Sequence, residues 1–224
     1  MTQDPKFPTA NFNRLAHVYR WMEYLSFGPF LSRCRFRLLP QLNNCRKALV
    51  LGDGDGRFTA RLLDRHRNIR VHALDASDAM LASLRKAAAQ DRDRLDTDCV
   101  DVRTWQPLTG QPPAGRNYDL IVTHFFLDCL ATEEIADLAS RLDPVTSPGT
   151  LWVVSEFSIP KGWFGKLVAM PLVAILYRSF HWLTGLAQQT LPDYRSALAR
   201  AGWKLEGEQT YLGGLLVSQL WRRN

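Results

Sequence analysis

The stretch ALVLGDGDGRFTARLLDRHRNIRVHALDASDAM, residues 48–80, decides the fold. ALVL (48–51) is a short unbroken apolar run, the pattern of a strand buried on both faces. A glycine-rich turn, Gly52 to Gly56, follows at once and leads into a helical stretch that reaches about Arg65. VHALD (71–75) is a second strand, and a second helix runs on to about Gln90. Strands alternating with helices mean parallel pairing through right-handed crossovers. Outward from here the rhythm continues. DCVDV (98–102), YDLIVTH (118–124) and GTLWVVSEF (149–157) read as further strands, with a helix over 132–142 and a Pro/Gly-rich solvent loop over 106–117. A helix over 191–201 and two late strands near 203–211 and 214–221, separated by Gly213-Gly214, complete the pattern. The prediction is an α/β protein with a doubly wound, mostly parallel, seven-stranded sheet and a late antiparallel strand.

Two segments interrupt that alternation. Before residue 47, Phe12, Leu15, Ala16, Tyr19 and Met22 form one helical apolar stripe, and a second helix is expected from Phe30 to about Leu39, stopped by Pro40. Between 160 and 187 lies an apolar, aromatic-rich insertion with no acidic residue. The chain therefore divides into a helical segment (1–46), a core (47–157), the insertion (158–190) and a C-terminal helix with strands (191–224), all within one domain.

With 224 residues, 46% of them hydrophobic, the chain can bury one large core. Charged residues at 22% exclude disordered and low-complexity classes. The formal charge of +6 is concentrated up to Lys47, where eight basic residues face only Asp4 and Glu23. Such an arm suits an anionic ligand or surface, or is simply a solvated face. Cys34, Cys45, Cys99 and Cys129 show no metal-ligand spacing, so reduced thiols and no metal are expected. MTQDPKFPTA lacks the apolar run of a signal peptide. Leu167 to Tyr177, the longest apolar stretch, falls short of the roughly 20 residues that cross a bilayer. A cytoplasmic protein is expected, with peripheral contact at the inner face of the membrane.

The chemistry is carried by Leu51-Gly52-Asp53-Gly54-Asp55-Gly56-Arg57. Its glycines let a ligand approach the backbone at the carboxyl edge of the sheet. Position 57 is arginine where a dinucleotide fingerprint requires glycine, and no Gly-Lys-Ser/Thr follows. Asp53 and Asp55 would repel a pyrophosphate and suit a ligand with positive charge. Asp75 ends the second strand, followed by Ala76 and by Met80 in the next helix, where a carboxylate accepts hydrogen bonds from ribose hydroxyls. Asp101 and Val102 stand at the third strand. His124 follows the fourth strand, with Thr123 before it and Asp128 a helical turn later; Glu156 ends the fifth. His124 is the candidate general base, with Asp128 to orient it or Glu156 as the other carboxylate.

Residues 48–157 resemble the core of a class I S-adenosylmethionine-dependent methyltransferase, a Rossmann-like fold. The resemblance implies that Gly52, Gly54 and Gly56 lie under the methionine portion, that Asp75 grips ribose and that Asp101 reads adenine. It also implies a Thr123 edge open to the methyl group. The family's usual acid two positions before the first glycine is Val50 here. The flanks Asn11 to Tyr19, Ser26-Phe27-Gly28, Glu156-Phe157-Ser158, the aromatic insertion and Leu212-Gly213-Gly214-Leu215 are similar to ubiquinone and menaquinone C-methyltransferases. That likeness makes 1–46 a lid and places Tyr19 at the cofactor. The Arg-Asn pair typical of those enzymes after the fourth strand is missing from Thr123 to Cys129.

The sequence thus predicts a methyltransferase using S-adenosylmethionine on a small lipophilic or aromatic, quinone- or lipid-like substrate. Methylation of nucleic acid is disfavoured, since no Asn/Asp-Pro-Pro-Tyr/Phe signature follows the fourth strand. A non-catalytic S-adenosylmethionine- or lipid-binding protein on the same fold is the other alternative. The basic arm and the insertion, rich in Trp163, Phe164, Leu167 and Met170 beside Lys161, Lys166 and Arg178, are expected to form a lipophilic lid able to lie on anionic membrane. The sequence leaves the oligomeric state open.

Overall fold

The computed structural model describes residues 29–107, 117–163, 165–174 and 191–224. The helix expected over 12–22, with Tyr19, lies outside them, as do most of the loop after Gln106 and the later half of the insertion. In chain order the main elements are α1 (Pro29–Phe36), β1 (Lys47–Leu51), α2 (Arg57–Arg65), β2 (Arg70–Asp75), α3 (Asp78–Ala87) and β3 (Leu95–Cys99). They continue with β4 (Tyr118–His124), α4 (Thr132–Leu142), β5 (Thr146–Phe157), α5 (Tyr194–Arg200), β6 (Trp203–Tyr211) and β7 (Leu216–Arg223).

Seven strands form one sheet in the order β3-β2-β1-β4-β5-β7-β6. β1 to β5 pair in parallel, and β7 runs antiparallel to both β5 and β6. The doubly wound sheet with its late antiparallel strand is therefore present. Alternation along the strands divides the core. Val50, Leu120, Val122 and Val153 pack with Phe58, Leu62 and Leu63 of α2 on one face. Leu49, Leu51, Ile121, Trp152 and Val154 pack with Ile135 and Leu138 of α4 and Ala197 and Leu198 of α5 on the other. Strand order reverses between β1 and β4, so the cleft that takes ligands in such sheets opens at the ends of these two strands.

Several boundaries differ from the sequence reading, including β5, which begins at Thr146 rather than 149, and α5, which spans Tyr194–Arg200 rather than 191–201. β3 lies over 95–99, three residues before the expected strand, so Asp101 stands in the turn beyond it. Only Leu95 in LDTDC is apolar besides the terminal cysteine, because this edge strand is mostly exposed; the apolar run that marks a buried strand is missing. α1 stops at Phe36, and Leu39–Gln41 form a separate 3-10 turn over Pro40. β7 begins at Leu216 rather than 214, because Leu212–Gly214 form a 3-10 turn with Leu212 at φ 49° and Gly213 at φ 65°. The four cysteines are free thiols, with Cys34 and Cys45 buried.

Candidate active site

The turn after β1 is shaped by its three glycines, with φ of 64°, 62° and 78° at Gly52, Gly54 and Gly56, a region that side chains disfavour. Each has different surroundings. A Cβ at Gly56 would stand 2.5 Å from Leu84 Cα, so this glycine lets α3 press against the start of α2. A Cβ at Gly52 would overlap the Phe126 ring. At Gly54 nothing lies within 4 Å. Asp53 turns inward and its Oδ2 accepts the Thr59 amide at 2.8 Å, capping α2. Its Oδ1 is buried without a hydrogen-bond partner. Burial pushes the Asp53 carboxyl up, opposed chiefly by the Arg35 guanidinium. Asp55 instead pairs with Arg57 at 2.9 Å.

Asp75, at the end of β2, is partly exposed beside the turn. Its Oδ1 accepts the Ser77 amide at 2.9 Å, and the Gly54 amide also bonds to it. Burial nevertheless raises its pKa to about 6, with Asp53 as an added negative neighbour. Ala76 is exposed; Met80 is buried, its amide held at 3.3 Å by the capping Ser77 hydroxyl. Asp101 accepts the Arg103 amide at 2.9 Å, and the same arginine pairs with Glu134 at 3.0 Å. Val102 is a core side chain packed with Leu74 and Leu142.

The ends of β4 and β5 depart most from expectation. Thr123 is fully buried and its hydroxyl accepts Trp152 Nε1 at 3.0 Å, which turns it into the core rather than toward a cleft. His124 points to the opposite face. Its ring lies 4.4 Å from Phe58, and both ring nitrogens are buried without partners. Burial, then the Arg35 charge, hold the imidazole well below its usual range, so it is neutral.

Asp128 does not orient His124, because Leu127–Cys129 form a 3-10 turn rather than a helix and carry Asp128 away. The structure brings Asp128 to Glu156 instead. Glu156 Oε1 accepts the Phe126 and Leu127 amides at 3.0 and 2.8 Å, while Oε2 is buried without a partner. Burial, then the Asp128 charge, push the Glu156 carboxyl well up, and burial raises Asp128 to about 6. Cys129 and Tyr194 border this pair and are pushed up in turn by burial and by its negative charge.

Two residues escaped the sequence reading. Arg35 of α1, buried with its guanidinium 5.8 Å from the Phe125 ring, is the cation beside Asp53 and His124. Phe126, on the first glycine of the turn, is the other. Two consecutive phenylalanines after a strand were the available signal.

Residues 49–151 match the family model described as a methyltransferase domain. The trans-aconitate 2-methyltransferase of Mycobacterium tuberculosis is 27% identical over 197 residues, covering 84% of this chain and 69% of that protein. The malonyl-[acyl-carrier protein] O-methyltransferase of Halorhodospira halophila is 32% identical over 112 residues, half of this chain and 35% of that one. Among solved structures, the mitomycin 7-O-methyltransferase MmcR superposes over 95% of this chain with a TM-score of 0.66 at 17% identity. This chain spans 60% of the mitomycin enzyme's length. A TehB-like methyltransferase of Corynebacterium glutamicum superposes with a TM-score of 0.58 at 14% identity, over 93% of this chain and 96% of its own. Residues 49–151 are thus similar to a methyltransferase domain, and the fold is the one these solved methyltransferases share.

Proposed function

We propose, from the likeness of residues 49–151 to a methyltransferase domain, that this chain transfers the methyl group of S-adenosylmethionine to a small lipophilic acceptor held at Asp128 and Glu156. The residues present fit that donor. Gly54 leaves open space above the turn, Asp53 Oδ1 is a buried acceptor without a partner, and Asp75 keeps a partly exposed carboxylate beside them. Asp75 suits the ribose hydroxyls, Asp53 and Met80 line the turn, and Asp101 lies beyond β3 toward the base. The bound donor supplies a methyl group made electrophilic by its sulfonium. What remains for the chain is alignment, exclusion of water and removal of a proton from the acceptor.

The observation that carries the acceptor assignment is the Asp128–Glu156 pair. The Phe126 and Leu127 amides fix Glu156, whose carboxyl is pushed well up by burial and then by the Asp128 charge. Asp128, with a pKa of about 6, is ionised at neutral pH and accepts the acceptor's proton. Two carboxyl groups in this place suit a hydroxyl, carbon acid or amine. They disfavour an anionic acceptor such as the trans-aconitate that names one relative, by like-charge repulsion. His124, closed in on the other face, holds its place by packing and plays no part in the transfer.

The flanking likeness to quinone C-methyltransferases supports a lipophilic acceptor, as does the described part of the insertion. Trp163, Leu167 and Met170 are 72%, 71% and 49% exposed, next to Lys161 and Lys166. That composition suits a reversible seat on anionic lipid. No helix among the described residues is long and apolar enough to cross a membrane.

Calorimetry with S-adenosylmethionine tests the donor half; absence of binding by the wild-type chain refutes it. Transfer of label from methyl-tritiated donor into the organic-soluble fraction of a cell extract tests the acceptor half. Label that appears only in aqueous acids or nucleic acid overturns the lipophilic assignment.

A further inference from the structure

We propose that Phe126 is the residue by which this chain distinguishes the charged methyl donor from its uncharged demethylated product. The inference rests on the donor and acceptor placement above. The sheet order sets β1 between β2 and β4, so Gly52 at the end of β1 lies between the Asp75 carboxylate on one side and the Asp128–Glu156 pair on the other. A donor with its ribose at Asp75 and its methyl directed at Asp128 has its sulfur over that same strand end. An aromatic ring already stands there. The Phe126 ring lies so close over Gly52 that a Cβ at this glycine would overlap it.

The backbone is built to keep the ring in place. Phe125 adopts φ 54°, a conformation that a bulky residue takes only under constraint from its surroundings. Its amide donates to the Ser155 carbonyl at 2.7 Å and its ring packs 5.3 Å from Phe157. The next amide, that of Phe126, donates to Glu156. The two neighbouring phenylalanines are thereby sent to different places, Phe125 into the core beside Arg35 and Phe126 onto the glycine turn. Phe126 is only partly buried. Arg35, the nearby buried cation, lies by the Phe125 ring instead.

An aromatic face attracts a cation through its quadrupole and has no such attraction for a neutral thioether. S-adenosylmethionine carries a sulfonium; S-adenosylhomocysteine does not. The ring therefore favours the donor over the product. It acts by position and charge recognition, and transfers no proton.

The test is calorimetric titration of wild type, Phe126→Leu and Phe126→Tyr with both compounds, read as the ratio of the two dissociation constants. Phe126→Leu should shift that ratio toward the product by about tenfold, the scale of a desolvated cation–π contact. Phe126→Tyr should keep the wild-type ratio, and retained S-adenosylhomocysteine binding reports an intact turn. If Phe126→Leu weakens both compounds equally, or leaves the ratio unchanged, the ring is only packing and the proposal is overturned. If wild type binds neither compound, the donor assignment itself is what fails.

Discussion

Gly54→Ala and Gly56→Ala separate the binding role of the glycine turn from its structural one. Both positions have positive φ, so either alanine carries roughly 1–2 kcal/mol of backbone strain. At Gly56 the new methyl also meets Leu84 Cα at 2.5 Å, with the Leu84 side chain scarcely farther. Backbone cannot step aside as a flexible side chain does, and overpacking of this kind adds about 1–3 kcal/mol. Gly56→Ala should therefore lose about 2–5 kcal/mol of stability in all, and Gly54→Ala only the strain. Urea unfolding followed by tryptophan fluorescence measures both. S-adenosylmethionine binding should show the reverse order. The Gly54 methyl occupies the open space assigned to the donor, and should weaken it at least tenfold, whereas any folded Gly56→Ala protein should bind within a few-fold of wild type. Equal stability losses would refute the assignment of Gly56 to the α2–α3 contact. Unchanged donor affinity in Gly54→Ala would refute the turn as the donor floor.

Asp75→Ala should weaken donor binding by about 1.5–3 kcal/mol, the scale of hydrogen bonds to a charged group, as read by calorimetry. In wild type the affinity should fall as pH drops through about 6, where this carboxylate takes up its proton. The linked effect on the free protein has the opposite sign. The folded pKa lies above the unfolded one, so the group's contribution to stability is full below about pH 4 and lost as pH rises through 6. Asp128→Asn should abolish the rise of turnover through about pH 6 while leaving donor affinity within a few-fold, measured as a pH–rate profile. Thr123→Val should cost about 1–3 kcal/mol in urea unfolding, by stranding the buried Trp152 Nε1 proton, with donor affinity unchanged. Replacing Trp163 and Leu167 with Ser should remove co-sedimentation with anionic vesicles; binding that persists would show that the insertion is not the membrane contact.

The sheet was legible because its strands are either unbroken apolar runs or end in recognisable turns. YDLIVTH is β4 residue for residue, and the helix over 132–142 starts and stops where it was read. LDTDC was not legible, since an exposed edge strand has no inner face to impose a pattern. The glycine turn and Asp75, where the donor is proposed to bind, were legible for a related reason. Glycines and an aspartate at fixed distances from a strand end announce themselves by local rules, and Gly52, Gly54, Gly56 and Asp75 do meet at one edge. Asp101 and Val102 read less well, because the strand that should have placed them ends two residues earlier.

The Asp128–Glu156 pairing, the proposed acceptor side, was hidden by a single torsion angle. Read as a strand followed by a helix, Thr123 to Asp128 would put His124 over the cleft with Asp128 one turn behind it. With Phe125 at φ 54° the chain turns differently, so Asp128 meets Glu156 from a strand 28 residues farther along. No propensity rule places a bulky aromatic in that conformation; Ser155, Phe157 and Glu156 hold it there through one hydrogen bond, one ring contact and the capture of the following amides. Those three residues come from β5, so the shape of the segment after β4 is a tertiary property. The same capture leaves Glu156 Oε2 buried without a partner, which costs stability. A carboxyl group there nevertheless supplies what an amide cannot, a titratable site that responds to the charge of Asp128.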